Sequence, residues 1–141
     1  MIIVIQLFST CANNCPPGYY CSSGNINTAA PCPPGKYGNT AGKSTEASAC
    51  TSSCPPGKYG NVPGQTTVGN ACPSTCSSGR YGVTTGKANE SDACQFTCRR
   101  GRWGTATGQT TEIGACPNRC AAGKYSDVTG GTSVENTCIH D

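Results

Sequence analysis

Ten of the chain's 13 cysteines lie on two interleaved series that each advance by 22 residues: Cys32, Cys54, Cys76, Cys98, Cys120 and Cys50, Cys72, Cys94, Cys116, Cys138. Each unit therefore reads cysteine, seventeen residues, cysteine, three residues, next unit. A fixed step of this length marks one small supersecondary unit copied in tandem. It excludes a fold organised around one large core and directs attention to how each unit closes on itself.

Composition agrees. Only 15 residues are Ile, Leu, Val or Phe, and six of them (Ile2, Ile3, Val4, Ile5, Leu7, Phe8) occupy the first eight positions. A chain this poor in large apolar groups cannot offset its conformational entropy by burial alone. Cysteines supply the missing constraint: closing a loop of nearly twenty residues contributes roughly 3 kcal/mol in the chain-entropy description. So many cysteines in small, core-poor units point to an oxidising, extracellular or cell-surface setting. The net charge of +3 is mild and argues against nucleic acid as a partner. No apolar run reaches the roughly 18 residues that would cross a bilayer.

Three regions follow. Residues 1–10 are the only strongly apolar stretch and are expected to form a β-strand, with a signal-peptide remnant as the competing reading. Such a strand without a sheet of its own is a candidate strand donor to a neighbouring subunit. Residues 11–31 form an irregular capping unit, in which Cys15-Pro-Pro-Gly-Tyr-Tyr copies the opening of later units before Cys21 intrudes. Residues 32–141 hold five 22-residue repeats, opening at Cys32-Pro-Pro-Gly-Lys-Tyr-Gly and its successors. A second glycine recurs in register at Gly42, Gly64, Gly86, Gly108 and Gly130. The expected unit is a short β-hairpin-like loop: a basic–aromatic leg, a glycine turn, and a Thr/Ser-rich leg returning to the closing cysteine. Helix is not expected, because no apolar 3.6-residue period exists and Gly and Pro punctuate every unit.

Pairing Cys32–Cys50, Cys54–Cys72, Cys76–Cys94, Cys98–Cys116 and Cys120–Cys138 closes every regular unit and leaves none of these ten over. Bonds across the junctions, such as Cys50–Cys54, would instead strand Cys32 and Cys138. Sequence alone does not decide between connectivities. Of the remaining trio, Cys15–Cys21 is the local pair, leaving Cys11 as a free thiol or an interchain bridge; Cys11 pairing with Cys15 or Cys21 is the alternative. Zinc is a weaker rival, since the Cys-x₃-Cys junctions do not divide cleanly into four-ligand sites. No metal or cofactor is expected.

Two further series run in phase. Tyr37, Tyr59, Tyr81, Trp103 and Tyr125 form an aromatic ladder, read first as rings that cover disulfides and second as a stacking surface. Lys36, Lys58, Arg80, Arg102 and Lys124 precede it by one residue, with Arg99 and Arg100 adding a local cluster. They are read as a solvated face, balanced by Glu46, Glu90, Glu112 and Glu135, or as a stripe for an acidic polysaccharide or surface protein. Asn89-Glu90-Ser91 is an N-glycosylation sequon. No triad, paired carboxylates or phosphate loop is visible, and His140 is the sole histidine, so an enzyme is not expected.

Cys15-Pro-Pro-Gly-Tyr-Tyr-Cys21 followed by Pro31-Cys32-Pro-Pro-Gly-Lys-Tyr-Gly resembles the ephrin-receptor-like cysteine-rich repeat. It is also similar to the first loop of tumour-necrosis-factor-receptor modules. The resemblance covers residues 11–138 and implies pairing within units, an extracellular setting and no catalytic residues. The expected fold is a small, disulfide-rich, elongated tandem array of short hairpin-like loops without a central core. The expected function is structural: a secreted subunit of a fibre, flagellar hair or surface coat that self-associates through residues 2–8. The alternative is a ligand-binding ectodomain of a receptor or adhesion protein.

Overall fold

A computed structural model describes residues 15–22 and 26–141. The N-terminal segment carrying Ile2, Ile3, Val4, Ile5, Leu7, Phe8 and Cys11, with the strand, signal-remnant and free-thiol readings placed on it, lies outside the described residues.

Each regular unit begins with a tight turn. In the first, Lys36 N–H donates to the Pro33 carbonyl at 3.0 Å, and Gly35 takes φ +83°, a conformation that favours glycine. The basic–aromatic pair that follows is a two-residue strand. These opening strands are β1 (Tyr19–Tyr20), β3 (Lys36–Tyr37), β5 (Lys58–Tyr59), β7 (Arg80–Tyr81) and β9 (Arg102–Trp103). Their partners are β2 (Ala30–Pro31), β4 (Ser52–Ser53), β6 (Ser74–Thr75), β8 (Phe96–Thr97) and β10 (Asn118–Arg119). All five pairs are antiparallel, with registers such as Lys36↔Ser53 and Tyr37↔Ser52. In the last unit a single bridge, Tyr125↔His140, takes the equivalent place.

The units differ from the sequence reading in two respects. The returning strand is not the Thr/Ser-rich leg before the closing cysteine; it is the three-residue junction after it. The segment before the cysteine is helical, contrary to expectation. One-turn helices α1 (Glu46–Ala49), α2 (Val68–Ala71), α3 (Glu90–Ala93), α4 (Glu112–Ala115) and α5 (Val134–Thr137) precede the five closing cysteines. Helices this short do not persist alone, and these are held at both ends. Thr45, Thr67, Asn89, Thr111 and Ser133 cap the N-termini, each accepting a backbone N–H from three residues on. The closing cysteine then donates its own N–H to the first helical carbonyl, Cys50 to Glu46 at 2.8 Å and Cys94 to Glu90 at 2.7 Å. One turn of helix thus aims the cysteine at its partner.

Among the described residues, six disulfides join Cys15–Cys21, Cys32–Cys50, Cys54–Cys72, Cys76–Cys94, Cys98–Cys116 and Cys120–Cys138. Around them, apart from glycines, the buried residues among those described are few: the disulfide cysteines other than Cys120, then Ala49, Ala71, Ala93 and Ala115, then Ser126 and Thr137. Among the described residues these form separate clusters along the chain rather than one common core. Packing between units links them. The carbonyl of each opening cysteine accepts the turn-glycine N–H of the next unit, Cys32 from Gly64 at 2.9 Å and Cys54 from Gly86 at 2.8 Å. Contact also reaches the unit after that. A Cβ placed on Gly35 would lie 2.5 Å from the Gly86 carbonyl oxygen, 51 residues along the chain.

The capping unit obeys the same geometry with a different closure. Gly42 N–H donates to the Cys15 carbonyl at 2.8 Å, and Cys21 N–H donates to the Lys43 carbonyl at 3.0 Å. Cys21 therefore fills the slot held by Gly38 in the following unit, where Gly38 N–H donates to Gln65 at 3.2 Å. In that unit no side chain fits the slot, because a Cβ on Gly38 would sit 1.7 Å from the Ala49 carbonyl. Among its described residues the cap has a 3-10 turn (Ile26–Thr28) in place of that helix. The slot can then hold a cysteine, and the disulfide spans six residues where the others span 18.

Candidate functional site

The aromatic ladder packs between units. Tyr20 lies against Cys32, Ala49 and Cys50; Tyr37 against Cys54, Ala71 and Cys72; Tyr59 against Cys76, Ala93 and Cys94; Tyr81 against Cys98, Ala115 and Cys116. Each ring covers the disulfide of the following unit, not its own. Trp103 meets the last unit through a parallel bridge to Gly131, and its Nε1 is buried without a hydrogen-bond partner among the described residues. Tyr125 is 51% exposed and stacks on His140, ring centroids 4.9 Å apart. The sequence reading began the ladder one ring late. Tyr20 stands five residues after Cys15 just as Tyr37 stands five after Cys32, and that shared offset was the available signal.

The last unit departs from the pattern at two positions that meet in space. Buried Thr137 replaces the alanine of the other closing sequences, and Gly131 replaces Gln65, Lys87 and Gln109. A Cβ on Gly131 would lie 2.2 Å from Thr137 Oγ1. A larger residue at one site is thus accommodated by loss of a side chain at the other.

The basic ladder is mostly engaged within its own units. Arg80 donates through Nε and Nη2 to the Cys94 carbonyl at 3.3 and 3.0 Å, and Arg102 through Nη1 to the Cys116 carbonyl at 3.2 Å. These carbonyls lie just past helix ends, where donors are otherwise missing. Lys36 pairs with Glu46 at 2.8 Å, and Lys124 pairs with Asp141. Lys58 has no ion pair among the described residues. The geometry is therefore not a continuous stripe of unengaged cations.

Asn89 caps α3. Its Oδ1 accepts from Asp92 N–H at 3.0 Å and from Ser91 Oγ at 2.8 Å, while its Nδ2 donates to Asp92 Oδ2 at 3.0 Å. The sequon is exposed, and it borders a cleft of about 210 Å³ that also includes Tyr59, Asn61, Ser74 and Ala88. Ala88 stands where the other repeats carry Ser44, Thr66, Thr110 and Thr132. At the rim, Glu90 Oε1 accepts from Ser77 N–H at 2.9 Å and from the Ser77 hydroxyl. The hydroxyl bond, then the backbone bond, hold this carboxyl below the usual range, with a smaller contribution from Arg80. The charged form is the one stabilised. Its contribution to folding is therefore present above the unfolded carboxylate value and is lost as pH falls through the lower folded value. Ser77→Ala is expected to move the Glu90 carboxyl partway back up, read by NMR titration; an unmoved titration would assign the shift elsewhere.

Among the described residues, no group of three or more His, Cys, Asp or Glu side chains is placed to hold a metal ion. Junction cysteines such as Cys50 and Cys54 belong to different disulfides. No described helix is long and apolar enough to cross a membrane. Comparison of the chain with protein-family models, curated proteins and solved structures finds no match.

Proposed function

We propose that this chain is a non-enzymatic, secreted structural glycoprotein, a subunit of an extracellular fibre, flagellar hair or surface coat. In this reading it is an elongated array of ephrin-receptor-like repeats that assembles through its N-terminal segment. The observation that carries the proposal is one docking contact used five times. The carbonyls of Cys15, Cys32, Cys54, Cys76 and Cys98 accept from Gly42, Gly64, Gly86, Gly108 and Gly130, each at 2.8 or 2.9 Å. A head-to-tail contact that repeats without closing builds rods and filaments. The dense disulfides support an oxidising, extracellular setting, and the resemblance to surface-protein repeats supports the same placement. Ile2, Ile3, Val4, Ile5, Leu7 and Phe8 then add a strand to the neighbouring subunit.

Electron microscopy of the oxidised full chain, beside a variant lacking residues 1–10, tests this. Filaments from the full chain and dispersed particles from the variant are expected. Filaments from both would overturn assembly through the N-terminal segment. Monodisperse full chain would overturn the fibre and favour the ligand-binding ectodomain.

A further inference from the structure

We propose that the hairpin of the unit opening at Cys98 carries an anion-binding face for a sulfated polysaccharide, built from Arg99, Arg100, Arg102 and Arg119. The inference does not depend on filament formation. The other repeats act as an internal comparison. At the positions of Arg99 and Arg100 they hold Pro33-Pro34, Pro55-Pro56, Ser77-Ser78 and Ala121-Ala122; at that of Arg119 they hold Ser53, Thr75, Thr97 and Asp141. The same fold is made without arginine at these three places, so packing does not call for them.

The register sharpens the point. Arg119 lies directly across from Arg102 in the β9–β10 pair. Like charges directly opposite on two strands disfavour the pairing. In the last unit the corresponding positions carry Lys124 and Asp141, which form an ion pair. One unit thus satisfies its basic residue, and its neighbour places a second cation there instead. Glu112 is the only carboxylate between Cys98 and Arg119, and it lies 3.4 Å from Arg99 Nε. Arg100 and Arg119 are exposed and have no ion pair among the described residues. Arg102 is partly buried and pinned by its bond to the Cys116 carbonyl, which fixes part of the face before any ligand arrives.

The chemistry selects the ligand. Guanidinium forks match tetrahedral oxyanions with paired N–H donors. The arginines spread along a turn and two strands, a layout for a chain of anions rather than for one enclosed ion. The chain's described cleft lies elsewhere, beside Tyr59 and Asn89. An oxidising setting excludes nucleic acid as the ordinary polyanion.

The test is binding of the oxidised full chain to immobilised heparin, with polyglutamate as the acidic-protein probe. Wild type is expected to bind heparin, and affinity should fall as salt rises from about 0.05 to about 0.3 M. The R99S/R100S/R119T variant, which installs residues found in sibling units, is expected to lose about tenfold or more in affinity. A control variant, K43S/K58S/K87S, removes the same charge from scattered sites and should lose less than about twofold. Circular dichroism and intact mass establish that all three proteins are folded alike. No heparin binding by wild type, or equal losses in the two variants, would overturn the proposal. Polyglutamate binding as tight as heparin would replace the polysaccharide with an acidic protein partner.

Discussion

Gly57→Ala is expected to destabilise the chain by about 1–3 kcal/mol more than Gly101→Ala, because the extra methyl meets occupied space in one case and not in the other. The two glycines occupy the same place in their units and share a backbone conformation, φ +75° and +73°. Any cost of a side chain at positive φ, roughly 1–2 kcal/mol, is therefore common to both. So is the partial compensation from a stiffer unfolded chain. What differs is the neighbour. A Cβ on Gly57 would lie 2.6 Å from the Gly108 carbonyl oxygen and 3.0 Å from its carbon, whereas one on Gly101 has nothing within 4 Å. The obstructing atoms are backbone from two units along, so relief requires shifting that unit. Chemical denaturation of both variants measures the difference. Amide exchange locates it, with Gly108 N–H, which donates to the Cys76 carbonyl, expected to lose protection only in Gly57→Ala. Equal destabilisation would mean that next-but-one packing contributes nothing.

That packing also marks where the sequence stops being legible. Cysteine positions alone favour loops closed within units, because bonds across the three-residue junctions would strand Cys32 and Cys138, but they do not decide the connectivity. The second glycine was readable as a turn: Gly42, Gly64, Gly86, Gly108 and Gly130 recur in phase, and all take positive φ. The helices were not readable by periodicity, since four residues cannot display a 3.6-residue period. Their signal was the cap. Thr45, Thr67, Asn89, Thr111 and Ser133 each stand five residues before a closing cysteine, four of them with alanine between. Asn89 belongs to that series as well as to the sequon. The hairpin partner has no local signal, because Ser52–Ser53 and its equivalents pair from outside the closed loop. Contacts between Gly35 and Gly86 leave no local trace beyond a glycine, and glycine at a turn already had a sufficient explanation. The arginine face was half visible as Arg99-Arg100-Gly101-Arg102; that Arg119 completes it depends on a register no local pattern reveals.

Removing one disulfide is expected to have the second large effect, spread unequally along the chain. In Cys76→Ala/Cys94→Ala, loss of an 18-residue cross-link costs about 3 kcal/mol in the chain-entropy description. Packing loss adds to this, because both sulfurs are fully buried and form, with Ala93, the cluster that Tyr59 covers. Damage should therefore run backwards as well as inward. The Tyr59 ring of the preceding unit loses its contact surface, whereas the Cys120–Cys138 bond closes a different unit. Amide exchange should rise most at Cys94 and Ala93, next at Gly60, whose N–H donates to the Lys87 carbonyl of the damaged unit, and least at Cys138. The variant is best made with Cys11→Ser, so that no leftover thiol reshuffles the remaining bonds. Cys15→Ala/Cys21→Ala is the comparison. Its loop spans six residues, so its entropic cost is smaller by under about 1 kcal/mol, and its effects should stay at the N-terminal end. An unchanged unfolding midpoint in the Cys76/Cys94 variant would mean that something other than its disulfide holds that unit. Uniform loss of protection from Cys15 to Cys138 would mean that the units fold as one body, and that the coupling seen at Gly35 and Gly57 dominates over closure of each loop.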